Sequence, residues 1–271
     1  MHYFNPVSKS ELLTIFDEKA IYILKHFIKR SQINQPEVIE SENNLTFQVI
    51  NEHVELWFSQ ALNLKRIGQG SSPIDLVSSN NEIGADIAVL HYKSNKKGIS
   101  RAETGEKSIF QKFSDEKWSG LGSTLDDLFE KNENDKIAEA ANNIFFDKLS
   151  SINHIEDNYY FILMLPPSGL SKAFLIALKL NTENKLEPLV KKRLKKSVVL
   201  ENFIDESYGS VKVYKAKKRV ELRIKPKPFL DKNNYLEFEI DNNFKKVILR
   251  DLETYQINEY FDSLYKDIFR S

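Results

Sequence analysis

The chain has no cysteine among its 271 residues. That excludes disulfides and thiolate metal sites and makes an intracellular, cytoplasmic setting the natural expectation. It also lacks net charge, with 39 basic and 39 acidic residues, which argues against indiscriminate polyanion binding by the molecule as a whole. Long apolar runs are missing. "YYFILMLPP" and "AFLIALKL" fall far short of a bilayer span. The start, "MHYFNPVSKSELL", lacks the basic-then-apolar order of a signal peptide. No internal repeat or low-complexity segment is visible. What remains is ordinary globular composition, 41% hydrophobic and 29% charged, with enough chain to bury a substantial core as a single domain spanning 1–271.

The charge is segregated. Between Lys191 and Lys227 there are 13 Lys or Arg against 4 Asp or Glu, a local excess of 9, so the remainder is net acidic. The strands that carry this excess alternate basic with apolar residues, as in "KVYKAKKRVELRIK". Lys191, Lys192, Arg193, Lys195 and Lys196 are placed to neutralise phosphates, as are Lys215, Lys217, Lys218 and Arg219. Tyr214 and Arg223 are candidates for touching bases. The competing reading is a solvated charged face.

Residues 9–30 repeat apolar side chains near a 3.6 period through Leu12, Phe16, Ala20, Leu24 and Ile28, which predicts one helix. "TFQVINEHVELWFSQALNL" predicts a second with a stripe of Val54, Trp57, Phe58, Ala61 and Leu62, ending before Gly68. "DKIAEAANNIFFDKLSSI" predicts a third, and "YQINEYFDSLYKDIFR" a final amphipathic one over 255–269. "YYFILMLPP" and "KAFLIALKL" read as buried, central strands. Helices alternating with strands in this order predict an α/β (α+β) fold, a mixed sheet flanked by helices.

"IDLVSSNNEIGADIAVL", residues 74–90, predicts a hairpin. If Asn80 and Asn81 are its central residues, cross-strand partners sum to 161 and Asp75 faces Asp86. Two carboxylates ~5 Å apart repel by about 3 kcal/mol at an effective dielectric near ~20. Either one keeps a proton or a cation sits between them. Position 88 projects from the same face as Asp86. A plainer reading makes both aspartates solvated strand-face residues or turn caps.

This stretch resembles the core of the PD-(D/E)XK nucleases, typical of type II restriction endonucleases. Pro73 and Asp75, then Asp86, match the motif's acids, and Glu55 in "HVELWF" matches the glutamate often found on a preceding helix. Ala88 stands where the motif has lysine. Either the chain is a degenerate, non-cleaving relative, or a lysine-to-alanine change has left an otherwise intact site impaired. The second is preferred, because both acids and the strand context are in place. Lysine from elsewhere is a further option. Lys93 is near, but its odd offset puts it on the opposite face; "ETGEKS", with Glu103, Glu106 and Lys107, is a candidate displaced set that otherwise reads as a polar loop.

The resemblance implies a restriction-endonuclease-like core over roughly 45–180, basic DNA-facing strands over roughly 190–230, and Mg²⁺ held by Asp75 and Asp86. The implied activity is sequence-specific hydrolysis of phosphodiester bonds in duplex DNA, by a homodimer if the target is palindromic. Lys93, Lys96, Lys97 and Arg101 fit a basic loop leaving the second strand of the hairpin. The five histidines, at 2, 26, 53, 91 and 154, show no metal-ligand spacing, and "GQGSS" lacks a phosphate-loop lysine. The rivals are a non-catalytic nucleic-acid-binding protein and a regulatory or interaction protein.

Overall fold

A computed structural model describes residues 1–32, 35, 46–67, 72–96, 98–110, 123–217, 219–240 and 247–269. The expected loops over 31–44 and 68–73 fall mostly outside these residues, as do Lys97, Lys218 and most of "WSGLGS", residues 118–123.

The fold is mixed α/β. The larger sheet runs β1 (Phe4–Pro6), β9 (Lys172–Leu180), β8 (Asp157–Leu165), β4 (Ile83–His91), β3 (Leu76–Val77), β2 (Lys65–Arg66), with β14 (Leu236–Glu239) also paired to β9. β4 and β8 run parallel, while β3–β4 and β8–β9 are antiparallel. A parallel pair needs a crossover, and α4 (Leu125–Glu130) and α5 (Asn134–Ser150) lie in the connection between β4 and β8. A second, five-stranded sheet runs β10 (Val190–Leu194), β11 (Ser197–Leu200), β12 (Gly209–Tyr214), β13 (Arg219–Ile224), β7 (Thr104–Phe110).

Apolar residues on both faces of β8 and β9 make those strands central, as expected from their unbroken hydrophobic runs. On one face, Ala85, Ile87, Phe161 and Leu175 pack against α1 (Lys9–Ile15), α2 (Glu18–Ser31) and α3 (Asn51–Leu62). On the other, Ala88, Leu90, Tyr160, Ile162 and Ile176 pack against α5 and the second sheet. The single helix expected over 9–30 is two. Asp17 accepts from the Ala20 N–H at 2.7 Å and caps α2, which breaks the helix while keeping Leu12, Phe16, Ala20, Leu24 and Ile28 buried. The second helix ends before Gly68 as expected, at Leu62, where Asn63 takes a left-handed φ of 53° and closes it, but it begins only at Asn51. A C-terminal helix, Thr254–Phe269, forms as expected. Among the described residues no helix is long and apolar enough to cross a membrane.

"ETGEKS" is not a loop. It belongs to β7, paired with β13 so that Lys107 lies beside Leu222. β7 also runs over β4. Thr104 donates to the His91 carbonyl, and a Cβ on Gly105 would come within 2.9 Å of Leu90 Cβ. Gly105 has φ +53°, in the left-handed region where glycine carries no steric penalty. Gly105→Ala is expected to lower stability by about 1–3 kcal/mol and to displace Lys107. Denaturant unfolding measures the first effect, and the pH dependence of that unfolding, which the Lys107–Asp86 pair shapes, reads the second.

Candidate active site

The hairpin forms in the expected register, Leu76 with Ala85 and Val77 with Gly84. Asn81 takes a φ of 60° at its tip, the positive value that tight hairpin turns require and asparagine tolerates. β3 is short because the chain departs from the ladder at Asp75. Its N–H still bonds the Ala85 carbonyl at 2.8 Å, while its Oδ2 accepts the Ile87 N–H at 3.3 Å. The Asp75 carboxylate is thus turned onto β4 beside Asp86. Gly84, two residues before Asp86, admits no side chain, since a Cβ there would lie 2.4 Å from Asn158 Oδ1.

Asp86 is buried on the face that meets the second sheet. Burial lifts its carboxyl well above the usual range, the Lys107 ammonium pulls it back, and contact with Asp75 raises it again. Tyr160, its neighbour on β8, is also pushed up by burial and by the charges of Asp86 and Asp75. The expected conflict between two adjacent acids is therefore present.

The cation that reconciles them is Lys107. Its Nζ lies 3.1 Å from Asp86 Oδ1, 3.0 Å from Oδ2 and 3.2 Å from the Ile87 carbonyl oxygen. Burial disfavours the ammonium, but Asp86 first, then Asp75 and Glu55, hold its pKa above the ordinary lysine value. A lysine raised in this way contributes stability below its unfolded pKa and loses it only as pH rises through the folded value. The ammonium is therefore kept throughout the neutral range. Lys107 reaches Asp86 because it sits on the apolar face of the second sheet, in register with Leu222 and two residues before buried Ile109.

Ala88 shares the Asp86 face, as its spacing implies, and is 3% exposed beside Ile162. Lys93 lies past the end of β4 and is exposed, away from the acids. Glu55 on α3 is half-buried and accepts from Arg66 at 3.1 Å and Asn51 at 3.2 Å. Burial and then the charge of Asp75 raise its pKa, against the pull of Arg66. It therefore lies within electrostatic reach of Asp75. Glu103 instead joins Lys212 at 2.5 Å and Arg223 at 3.4 Å, and the Glu106 side chain lies outside the described residues.

Hard oxygen donors suit a divalent cation. Asp86 Oδ2 is buried, with the Lys107 ammonium 3.0 Å away and no hydrogen-bond partner among the described residues. Asp75 and Asp86 are the carboxylates that could hold Mg²⁺, which typically takes one or two carboxylates and completes its shell with water and phosphate oxygens. No group of three or more His, Cys, Asp or Glu gathers for a metal among the described residues.

The basic strands are more internally paired than their composition suggests. Lys191 pairs with Glu206, Arg193 with Asp135 at 2.9 Å, and Lys215 with Glu130 at 3.8 Å. Arg101 stands 3.9 Å from Asp231. Glu221 is fully buried between Lys217 at 2.9 Å, Arg219 at 2.5 Å and Arg223 at 3.4 Å. Its central role is invisible in a sequence that shows one acid in a basic run. Lys96, Lys192, Lys195 and Lys196 are exposed and carry no ion pair among the described residues.

No family model matches this chain, and no curated protein or solved structure shows significant similarity to it.

Proposed function

We propose that this chain is a Mg²⁺-dependent endonuclease of the restriction type, acting on duplex DNA, in which Lys107 from β7 takes the part of the missing motif lysine. The single observation that carries this reading is the ammonium of Lys107 seated on Asp86 and the Ile87 carbonyl. The chain as it stands is then competent, and Ala88 is a packing residue, not a lesion.

Asp75 and Asp86 would hold the metal, which when bound supplies Lewis-acid polarisation of a phosphodiester oxygen and a more acidic water. Lys107 stays protonated at neutral pH, so it serves as a donor and positive charge, not as the base. It orients water and balances the charge that develops on the phosphorus centre. Glu55, tied to Arg66 and Asn51, adds negative charge at the edge of the site and acts through water. The exposed lysines of the second sheet give salt-dependent affinity without reading sequence. A homodimer follows if the target is palindromic.

Asp75→Asn tests the reading. The wild type is expected to bind Mn²⁺ by calorimetry and to cut mixed-sequence duplex DNA in Mg²⁺, and the variant is expected to do neither while keeping its thermal midpoint. A folded wild type with no divalent-metal affinity and no metal-dependent scission would overturn it.

A further inference from the structure

The outer face of the second sheet carries a cavity of about 460 Å³. Along β12, Val211 and Val213 are buried in the core, so the alternating Ser210 and Lys212 point the other way, into the cavity. Leu222, the register partner of both Val211 and Lys107, belongs to the inner face. The cavity therefore lies across the sheet from the candidate active site and shares no residue with it.

A bulge builds its basic wall. Successive residues of a strand face opposite sides, yet Lys191 and Lys192 both line the cavity. The β10–β11 register slips by one residue between Val190 and Lys192, and a bulge of this kind re-aims side chains. Lys225 adds another ammonium, half-buried and fixed by donating to the Glu206 carbonyl at 2.5 Å. Carboxylates take up only part of this charge. Lys191 is paired with Glu206, and Lys212 with Glu103 at 2.5 Å, where Ser210 also donates at 2.6 Å. Lys192 and Lys225 make no ion pair among the described residues. Of the other lining acids, Asp205 already accepts from the Ser207 N–H at 2.8 Å and its hydroxyl at 2.6 Å, and its charge, like that of Glu201, acts on His2. The rest of the wall is aliphatic, through Leu194, Val199 and Ile204.

Lysines on an edge strand deter unwanted strand pairing. That accounts for β10 but not for Lys225, which comes from another segment and is held at the cavity by a main-chain carbonyl. Two ammonium groups without carboxylate partners match a doubly charged anion. A phosphate monoester carries about −1.5 to −2 at neutral pH and offers three acceptor oxygens. Cavities of about 300–1,000 Å³ with a few polar groups and an apolar wall suit small organic ligands.

We infer that this cavity binds a phosphate monoester borne on a small organic body, the phosphate between Lys192 and Lys225 and the body against Leu194, Val199 and Ile204. The site is independent of the nuclease reading. A nucleoside 5′-phosphate, free or at the end of a DNA strand, has this chemistry, and the experiment separates the two sources. Calorimetry on the full chain, with chelator present, compares deoxyadenosine 5′-phosphate, deoxyadenosine, inorganic phosphate, and a single-stranded dodecanucleotide with and without a 5′-phosphate. The nucleotide is expected to bind one to one, more tightly than deoxyadenosine or phosphate. Lys225→Gln and Lys192→Gln are each expected to weaken it by ~10-fold or more, the usual loss for a hydrogen bond to a charged group. Changing Lys195 and Lys196 together to Gln, at the tip of the same hairpin and outside the cavity, is expected to leave the affinity as it is.

A dodecanucleotide that binds only when 5′-phosphorylated, with the free nucleotide silent and the same two lysines required, assigns the site to a strand end. No binding of any phosphorylated probe overturns the inference. So does a loss shared equally by the Lys195 and Lys196 variant, which marks a diffuse positive field. Lys192 is exposed on an edge strand, so Lys192→Gln still decides the matter if Lys225→Gln does not fold.

Discussion

Lys107→Met is expected to leave a folded protein that cuts duplex DNA roughly 10²–10⁴-fold more slowly than the wild type, the usual range for losing one acid–base or electrostatic group. Methionine keeps the buried stem of the side chain and removes only the charge. Lys107 is 23% exposed and Asp86 8%, so the variant strands a carboxylate in a dry site. Removing one member of a buried pair costs about 3–5 kcal/mol. Part of that is avoided because Asp86 can neutralise itself by taking a proton. Its pKa is already raised by burial, and without the ammonium it rises further. A carboxyl whose folded pKa lies above its unfolded one contributes stability below the unfolded value and loses it as pH rises through the folded value. The deficit of Lys107→Met in denaturant unfolding should therefore shrink as pH falls and grow towards neutrality. On the proposed reading DNA affinity should hold, since the exposed lysines Lys192, Lys195 and Lys196 are untouched.

Ala88→Lys, which restores the motif on paper, is expected to weaken the protein and not to raise cleavage. Ala88 is buried among Ile162, Leu90 and Tyr160. Forcing a longer chain into a packed core costs about 1–3 kcal/mol. A second ammonium close to Lys107 adds repulsion of ~4 kcal/mol at a separation of roughly 4 Å and an effective dielectric near 20. Had Ala88 been a lesion in a site awaiting its lysine, the same substitution would raise cleavage by orders of magnitude. Urea unfolding and a single-turnover assay on one preparation separate the two outcomes.

Much of this site is legible in the sequence, for definite physical reasons. A two-asparagine turn with one residue at positive φ fixes a register, and the register places Asp75 next to Asp86. Repulsion between them then demands a proton or a cation. The identity of that cation is hidden. Lys107 comes 21 residues after Asp86, from a strand of the other sheet, and no local periodicity links the two. Its strand was masked by "ETGEKS", where glycine and charge imitate a loop. The usable signal is the spacing of Lys107 and Ile109, which sets the lysine on the face that β13 buries through Leu222. The break between α1 and α2 hides behind an unbroken apolar period, because the Asp17 cap interrupts the backbone without interrupting the stripe. Charge counting likewise could not show that Glu221 is enclosed by Lys217, Arg219 and Arg223, since that depends on cross-strand placement.

The most direct measurement is scission of a long mixed-sequence duplex by the unmodified chain, with Mg²⁺ and with chelator, under single turnover. The ammonium supplied by β7 predicts discrete fragments in Mg²⁺ and none in chelator, with alanine at position 88. A folded, DNA-bound wild type that leaves the duplex intact in Mg²⁺ would contradict it.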